Sequence, residues 1–384
     1  MADGVISGRW LIVGVLLLLL GRAAVAAEPG DVGAVAAVPD LAAVLRAVSA
    51  ADFCGEPVPL DRPAVRERWE KEMLLTLWNR PQVILWLKRA PRYLPRIEAM
   101  LAAAGLPDDL KYIAVIESAL RPHAGSSRGA VGFWQFTPET GRNWGLRVDD
   151  RVDERRSLEA ATGAAIAYLA ALHERFGAWA LAAAAFNMGE AGLAAEIDNQ
   201  GVSEYYGLYL SLETQHYLLR AVAAKMILSD PFRYGFDIRP ADQWGPNATD
   251  SVTLTCDAET PLRVVARAAG STFKTIKDLN PHIRGYFLAP GTYTLAMPEG
   301  SGKGYDERLS AALQTWRQSH PETVYVVQPG DHLTAIAERH GVSLNTIILW
   351  NRLNPGRPIH PGQTLILYAP SEADPVAEEP PDRP

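Results

Sequence analysis

Hydrophobic and polar positions change rhythm along this 384-residue chain. From Arg62 to about Pro231 the rhythm is helical. Trp69, Met73, Leu74 and Leu77 form an i, i+4, i+5, i+8 stripe. Leu158, Thr162, Ala165, Ile166, Leu169, Leu172 and Phe176 mark one face of a long helix that Gly177 stops. An Ala-rich helix runs from Ala178 to Phe186 and ends at Asn187-Met188-Gly189, and another runs from Glu213 to Leu228 before Pro231. Pro81 and Pro91 fall where new helices are expected to start, because proline suits the first helical turn. The pattern predicts an all-α domain over 55–235, large enough for its own core, with its central part over 106–230.

Further on, the rhythm alternates. Val252–Thr255, Tyr293–Leu295, Val324–Val327 and Thr364–Leu367 read as strands, and two short helical patterns lie between the strands of each pair. The two halves superpose. Leu262, Val265, Ala266, Gly270, Phe273, Ile276 and Asn280 align with Leu333, Ile336, Ala337, Gly341, Leu344, Ile347 and Asn351, at a constant offset of 351 − 280 = 71. Two copies of a small βααβ module follow, over 250–299 and 323–368, with 300–321 expected to be a partly helical linker carrying Leu309, Leu313 and Trp316. The tail 369–384, rich in Pro, Glu and Asp, is expected to be disordered.

The formal charge of −7 and the lack of a clustered basic face speak against a nucleic-acid partner. At the N-terminus, Arg9 precedes the apolar run Trp10–Leu20, and Ala24-Val25-Ala26 follows. That run is short of the roughly 20 residues a bilayer span takes, so 1–26 reads as a secretory signal. Export to the periplasm or cell envelope is expected, with membrane attachment only if the segment stays uncleaved. The chain has two cysteines, Cys54 and Cys256. An exported chain permits a disulfide between them, and isolated buried thiols are the alternative. They are too few for a structural zinc site, and neither metal nor cofactor is expected.

The most informative segment begins at Leu106-Pro107-Asp108-Asp109. Its apolar stripe runs Leu106, Leu110, Ile113, and the next position on that line is Glu117. Burying a charged carboxylate costs several kcal/mol, roughly, so its pKa is expected to rise. A carboxylic acid that keeps its proton towards neutral pH suits protonation of a glycosidic oxygen. A structural Glu paired with Arg121 is the bland alternative. Downstream, the glycine-rich stretch Gly125–Gly132 leads into Phe133-Trp134-Gln135-Phe136. Glycines let a backbone approach a ligand, aromatic rings stack on sugars, and Gln can fix hydroxyl or N-acetyl groups. Asp149, Asp150, Asp153 and Glu154, interleaved with Arg147, Arg151, Arg155 and Arg156, read as a self-paired surface loop and not a metal site.

Three ordered motifs carry a resemblance: Glu117-Ser118-Ala119-Leu120, Gly132-Phe133-Trp134-Gln135 and Ala185-Phe186-Asn187-Met188-Gly189, followed by the Tyr217 helix. Over roughly 106–228 the chain resembles the soluble-lytic-transglycosylase family, related to goose-type lysozyme. With the C-terminal repeats it resembles that family's membrane-bound D type. The segment 323–368, with Val327-Gln-Pro-Gly-Asp331, Asn351 and Pro361-Gly362-Gln363, is similar to a LysM module. The first copy lacks the Pro-Gly-Asp turn. The resemblance implies a multidomain protein: an all-α, lysozyme-like catalytic domain followed by small α+β (βααβ) LysM-type modules. It also implies a peptidoglycan glycan strand as partner and Glu117 as the single catalytic acid and base.

Ser118, Gly132, Phe133, Trp134, Gln135, Phe186, Asn187 and Tyr217 would then contact substrate. Core packing is the alternative for Tyr217, and a helix cap for Asn187. In the LysM module, Gly330, Asp331, His332, Leu333, Asn354 and Ile359 would contact glycan. Two departures stand out. Phe186 replaces the tyrosine usual in the third motif, and no Cys follows the apolar run for the lipid anchor common in the D type. A hydrolytic muramidase and a non-catalytic wall-binding protein are the competing readings. The former calls for a second acid across the cleft, which the sequence leaves open, although none lies between Glu117 and Glu139.

Overall fold

A computed structural model describes residues 40–351 and 353–368. The expected signal segment and the acidic tail lie outside them. Among the described residues no helix is long and apolar enough to cross a membrane.

The helical domain opens with α1 (Leu41–Arg46) and a two-residue hairpin, β1 (Asp52–Phe53) with β2 (Glu56–Pro57). The hairpin has a purpose downstream. Glu56 accepts from the amides of Trp179 and Ala180 at 2.6 and 3.0 Å, satisfying orphan donors at the start of α7 (Trp179–Met188). α2 (Pro63–Trp78) buries Trp69, Met73 and Leu77 as its stripe requires. α3 (Arg80–Ala103) departs from expectation, because Pro81 lies in its first turn but Pro91 and Pro95 sit inside one 24-residue helix. Val83, Trp86, Leu87, Leu94, Ile97 and Leu101 keep one face on the core across both prolines. That burial holds the helix together despite the missing amide donors.

α4 (Lys111–Ser118) and α5 (Pro138–Asn143) are short. α6 (Leu158–Phe176) is capped by the Ser157 hydroxyl and ends at left-handed Gly177, as the sequence indicates. α7 buries Ala180 through Ala185 without a break. Five of these six are alanine, and such small side chains let it nest between α6 and α9 (Leu212–Ser229), with α8 (Glu190–Gln200) following it. α9 is the central helix and packs on α2, α4 and α7.

The first repeat contains β3 (Thr249–Cys256), β4 (Thr260–Pro261), α10 (Leu262–Ala268), α11 (Phe273–Leu279), β5 (Phe287–Leu288) and β6 (Gly291–Pro298). β3 and β6 pair antiparallel from Thr249 opposite Pro298 to Cys256 opposite Gly291. The segment expected as a linker forms α12 (Tyr305–Ser319), which is part of this module. Its Tyr305 and Leu309 are buried in the module core, and Leu313 and Trp316 pack against it. The second repeat, β7 (Glu322–Val326), α13 (Leu333–Arg339), α14 (Leu344–Asn351) and β8 (Thr364–Tyr368), has the same βααβ order with its own core.

An asparagine clamp recurs in both copies. Asn280 donates to the carbonyls of Ile276 and Ala296 and accepts from the Ala296 amide at 2.8 Å. Asn351 does the same with Ile347 and Ile366. Each thereby ties the end of a helix to the last strand.

No disulfide joins the repeats to the helical domain, since Cys54 and Cys256 are both free thiols. Cys54 sits in the β1–β2 turn and packs against the helical core, whereas Cys256 lies within the core of the first repeat. Burial raises the pKa of both thiols.

Candidate active site around Glu117

Glu117 lies one residue before the end of α4. The helix stops there because Ala119 and Leu120 both adopt left-handed backbone, at φ 53° and 56°. Gln135, at φ 51°, does likewise. Among the described residues, three of the four non-glycine positions with positive φ therefore fall in two of the sequence motifs. Each costs about 1–3 kcal/mol and persists only where its surroundings over-determine it. Leu120, fully buried, is one such anchor.

Glu117 is half-buried, and burial pushes its pKa up to about 7. The Tyr217 hydroxyl, on α9, opposes that rise by donating to Oε1 at 2.6 Å. Glu213 raises the value further and Arg220 lowers it, both through their charges. These two sit on the same helix as Tyr217 and pair with each other at 3.2 Å. Arg220 also pairs with buried Glu72 at 2.9 Å, and Glu72 lies 3.0 Å from His216 Nδ1, an imidazole that burial shifts towards its neutral form. This charged group escaped the sequence reading, although Glu213, Tyr217 and Arg220 at i, i+4 and i+7 share a face. Arg121 is not the partner of Glu117; its Nε donates to the Ser118 carbonyl.

The other sequence candidates divide. Phe133 and Trp134 are 2% and 0% exposed, with the Trp134 indole N–H donating to Thr162 Oγ1 at 3.0 Å. They are core residues, so the expectation that they stack on sugar is corrected. The Ser118 hydroxyl is also buried and donates back to the Ala114 carbonyl, so it has only acceptor capacity left to offer. Gln135 uses its amide nitrogen on the carbonyls of Gly132 and Ala124 and so braces the glycine loop. Phe186 packs on Trp134, Phe136 and Tyr168. Asn187 accepts from Thr214 Oγ1 at 2.9 Å, which ties the third motif to α9.

Gly132 has a sharper reason to be glycine. At φ 87°, a Cβ there would lie 1.7 Å from the Arg155 carbonyl oxygen. Arg155 itself corrects the surface-loop reading, because it and Asp153 are 5% and 1% exposed and form a bidentate pair. Its Nη1 donates to the carbonyls of Gly129, inside the glycine loop, and Phe136, just beyond it, clamping the two together. Asp149, by contrast, is exposed and paired with Arg147, as expected.

Residues 95–207 match the Transglycosylase SLT domain family and residues 325–367 the LysM domain family. The chain is 31% identical over 303 residues to membrane-bound lytic murein transglycosylase D of Escherichia coli (strain K12), covering 75% of this chain and 66% of that one. The chain spans 66% of that relative's length, and its residues 95–207 are those that match the transglycosylase SLT family. A putative tributyltin chloride resistance protein of Alteromonas sp. (strain M-1) is 34% identical over 119 residues, 30% of this chain and 58% of its own length. The 70 kDa soluble lytic transglycosylase of Escherichia coli aligns with a TM-score of 0.33 at 16% identity, over 46% of this chain and 33% of that one.

The SLT match spans the Glu117 helix, the glycine loop and the Phe186-Asn187 turn, but ends before Tyr217. In the LysM domain, the Asp331 carboxylate is committed to its own turn. It accepts from the Tyr325 hydroxyl and the Gln328 amide and lies 3.5 Å from Arg339. Gly330 supplies the left-handed residue of that turn. Leu333 and Ile359 are partly buried and pack against the module core. His332 and Asn354 are exposed.

Proposed function

We propose that the chain is a lytic transglycosylase that cleaves the β-1,4 bond between N-acetylmuramic acid and N-acetylglucosamine in peptidoglycan, leaving 1,6-anhydromuramic acid ends. The observation that carries this is the state of Glu117. It is a half-buried acid with a pKa of about 7, hydrogen-bonded by the Tyr217 phenol, with the Arg220 charge too weakly felt to undo the rise that burial causes. Near neutral pH such a group both gives and takes a proton, as a one-carboxylate mechanism requires.

In that mechanism Glu117 donates its proton to the glycosidic oxygen as the bond to the anomeric carbon breaks. The substrate's own N-acetyl group supports the positive centre. Glu117, now a carboxylate stabilised by the Tyr217 hydroxyl, takes the proton from the sugar's 6-hydroxyl. That oxygen closes on the anomeric carbon. The acid is regenerated and no water is consumed. Tyr217 holds the reacting carboxylate directly, Asn187 is bonded to Thr214 on the same helix as Tyr217, and Phe133 and Trp134 act by packing.

The LysM module over 323–368 is inferred to hold the enzyme on its polymer, and the envelope to be its location. The name of the Escherichia coli relative and the apolar N-terminal run support that reading. Digestion of purified peptidoglycan by the wild-type chain and by Glu117→Gln tests the proposal. Anhydro ends from the wild type and none from the variant are expected. Reducing ends, heavier by one water, would establish a hydrolytic muramidase instead, and lysis unchanged in the variant would remove Glu117 from the chemistry.

A further inference from the structure

The helical domain and the first repeat are joined by backbone. Val152 bridges Ile283 antiparallel, the Asp153 amide donates to the His282 carbonyl, and the Arg284 amide donates to the Arg151 carbonyl, both at 2.8 Å. The Val152 side chain sits within the repeat's core. These contacts tie the edge of one domain to that of the other.

Beside this bridge opens a cavity of about 330 Å³. His123, Arg156, Lys277 and Arg284 line it, against a single acid, Asp278. The bases come from three separate segments: the loop leaving α4, the turn before α6, and α11 with its following loop. Asp278 is paired with Lys274. The Lys277 ammonium donates to the carbonyls of Ile283 and Gly285, neither of them an ionised group. Arg156 lies against His123 Nδ1 at 2.9 Å and reaches Asp153 at 3.5 Å. After burial itself, the charges of Arg156 and Arg284 hold the Lys277 pKa below the ordinary lysine range, and burial with Arg156 lowers that of His123. Cations crowded into a partly desolvated recess repel one another until an anion enters.

Two of its lining residues lie close to the catalytic motifs in sequence. His123 follows Glu117 by six residues (123 − 117), and Arg156 is next to Arg155, the clamp on the glycine loop. We propose that this pocket is a carboxylate-binding subsite for the acidic peptide side chains borne by the glycan strand that Glu117 cuts. The proposal rests on the peptidoglycan reading above. An arginine fork and an ammonium suit carboxylates, and a strand passing Glu117 carries them at regular intervals.

The test compares peptide-bearing peptidoglycan with the same glycan stripped of its peptides, using the full chain and an Arg284→Ala/Lys277→Gln double variant. Gln keeps a donor for the two carbonyls. The expected result is a fall of about tenfold in kcat/KM on the peptide-bearing polymer and less than twofold on the stripped glycan, with Arg284→Glu worse than Arg284→Ala. Equal losses on both substrates, or none on either, overturn the subsite. Calorimetry of free stem peptide with the Glu117→Gln chain reads the pocket without catalysis. Binding there that Arg284→Glu abolishes supports the subsite, and absence of binding overturns it. A wild-type chain that cuts neither polymer would instead overturn the lytic reading.

Discussion

The Tyr217 hydroxyl donates to Glu117 Oε1 at 2.6 Å from a side chain that is itself 2% exposed. The bond stabilises the carboxylate form, whereas burial favours the acid, and the balance leaves the pKa at about 7. Tyr217→Phe removes the donor and keeps the ring. The carboxyl pKa should then rise above its present value, so the alkaline limb of the pH–rate profile moves to higher pH. With a bond to a charged acceptor worth about 1.5 kcal/mol, kcat should fall roughly tenfold. A limb that moves downward would contradict the arrangement.

Glu117→Gln should separate activity from stability. The folded carboxyl titrates near 7 against an ordinary value of 4.5, so the native state binds the proton more tightly than the unfolded chain does. The stability tied to that proton is fully present below about pH 4.5 and is lost as pH rises through 7. A neutral Gln never incurs the loss. The variant should match the wild type at pH 4 and exceed it by about 3 kcal/mol at pH 8, at 1.36 kcal/mol per unit. It should release no anhydro ends at either pH. Urea denaturation at the two values checks the first claim.

Much of this site was legible because helical period exposes a misplaced carboxylate. Leu110 and Ile113 point into the core, and Glu117 follows them on the same line. What was not legible depends on tertiary direction. In an irregular loop there is no period to say which way Trp134 faces, and its indole turns inward to Thr162. Interleaved charges conceal a buried pair for the same reason, since Asp153 and Arg155 read like their exposed neighbours Asp149 and Arg147. Pro91 marks a helix start by local rules, yet a continuous apolar face outweighs it.

Two glycines in one loop should behave differently. Gly132→Ala places a methyl 1.7 Å from the Arg155 carbonyl and forces alanine to φ 87°. Left-handed strain and overpacking together should cost about 3 kcal/mol or more. Gly129 also has positive φ, but a Cβ there meets nothing within 4 Å. Gly129→Ala should therefore cost only about 1 kcal/mol. Thermal unfolding of the pair checks the difference. Equal losses would mean that the Arg155 backbone yields easily and does not set the loop.

The paired asparagines give a test of how the modules contribute. Asn351→Ala removes the side chain that donates to Ile347 and Ile366 and accepts from the Ile366 amide. Leaving those strand groups unpaired should cost about 2–3 kcal/mol, a large fraction of what so small a module has. The Ile366 amide should lose hydrogen-exchange protection while Glu117 chemistry on short soluble glycans stays at wild-type rates. Retention on insoluble peptidoglycan should fall. Asn280→Ala makes the equivalent cut in the first repeat, whose core also takes in Val152 from the helical domain. There the loss should reach the seam, so exchange should quicken at the Asp153 and Arg284 amides as well as at Ala296. Exchange confined to Ala296 would show that the seam holds independently of the clamp.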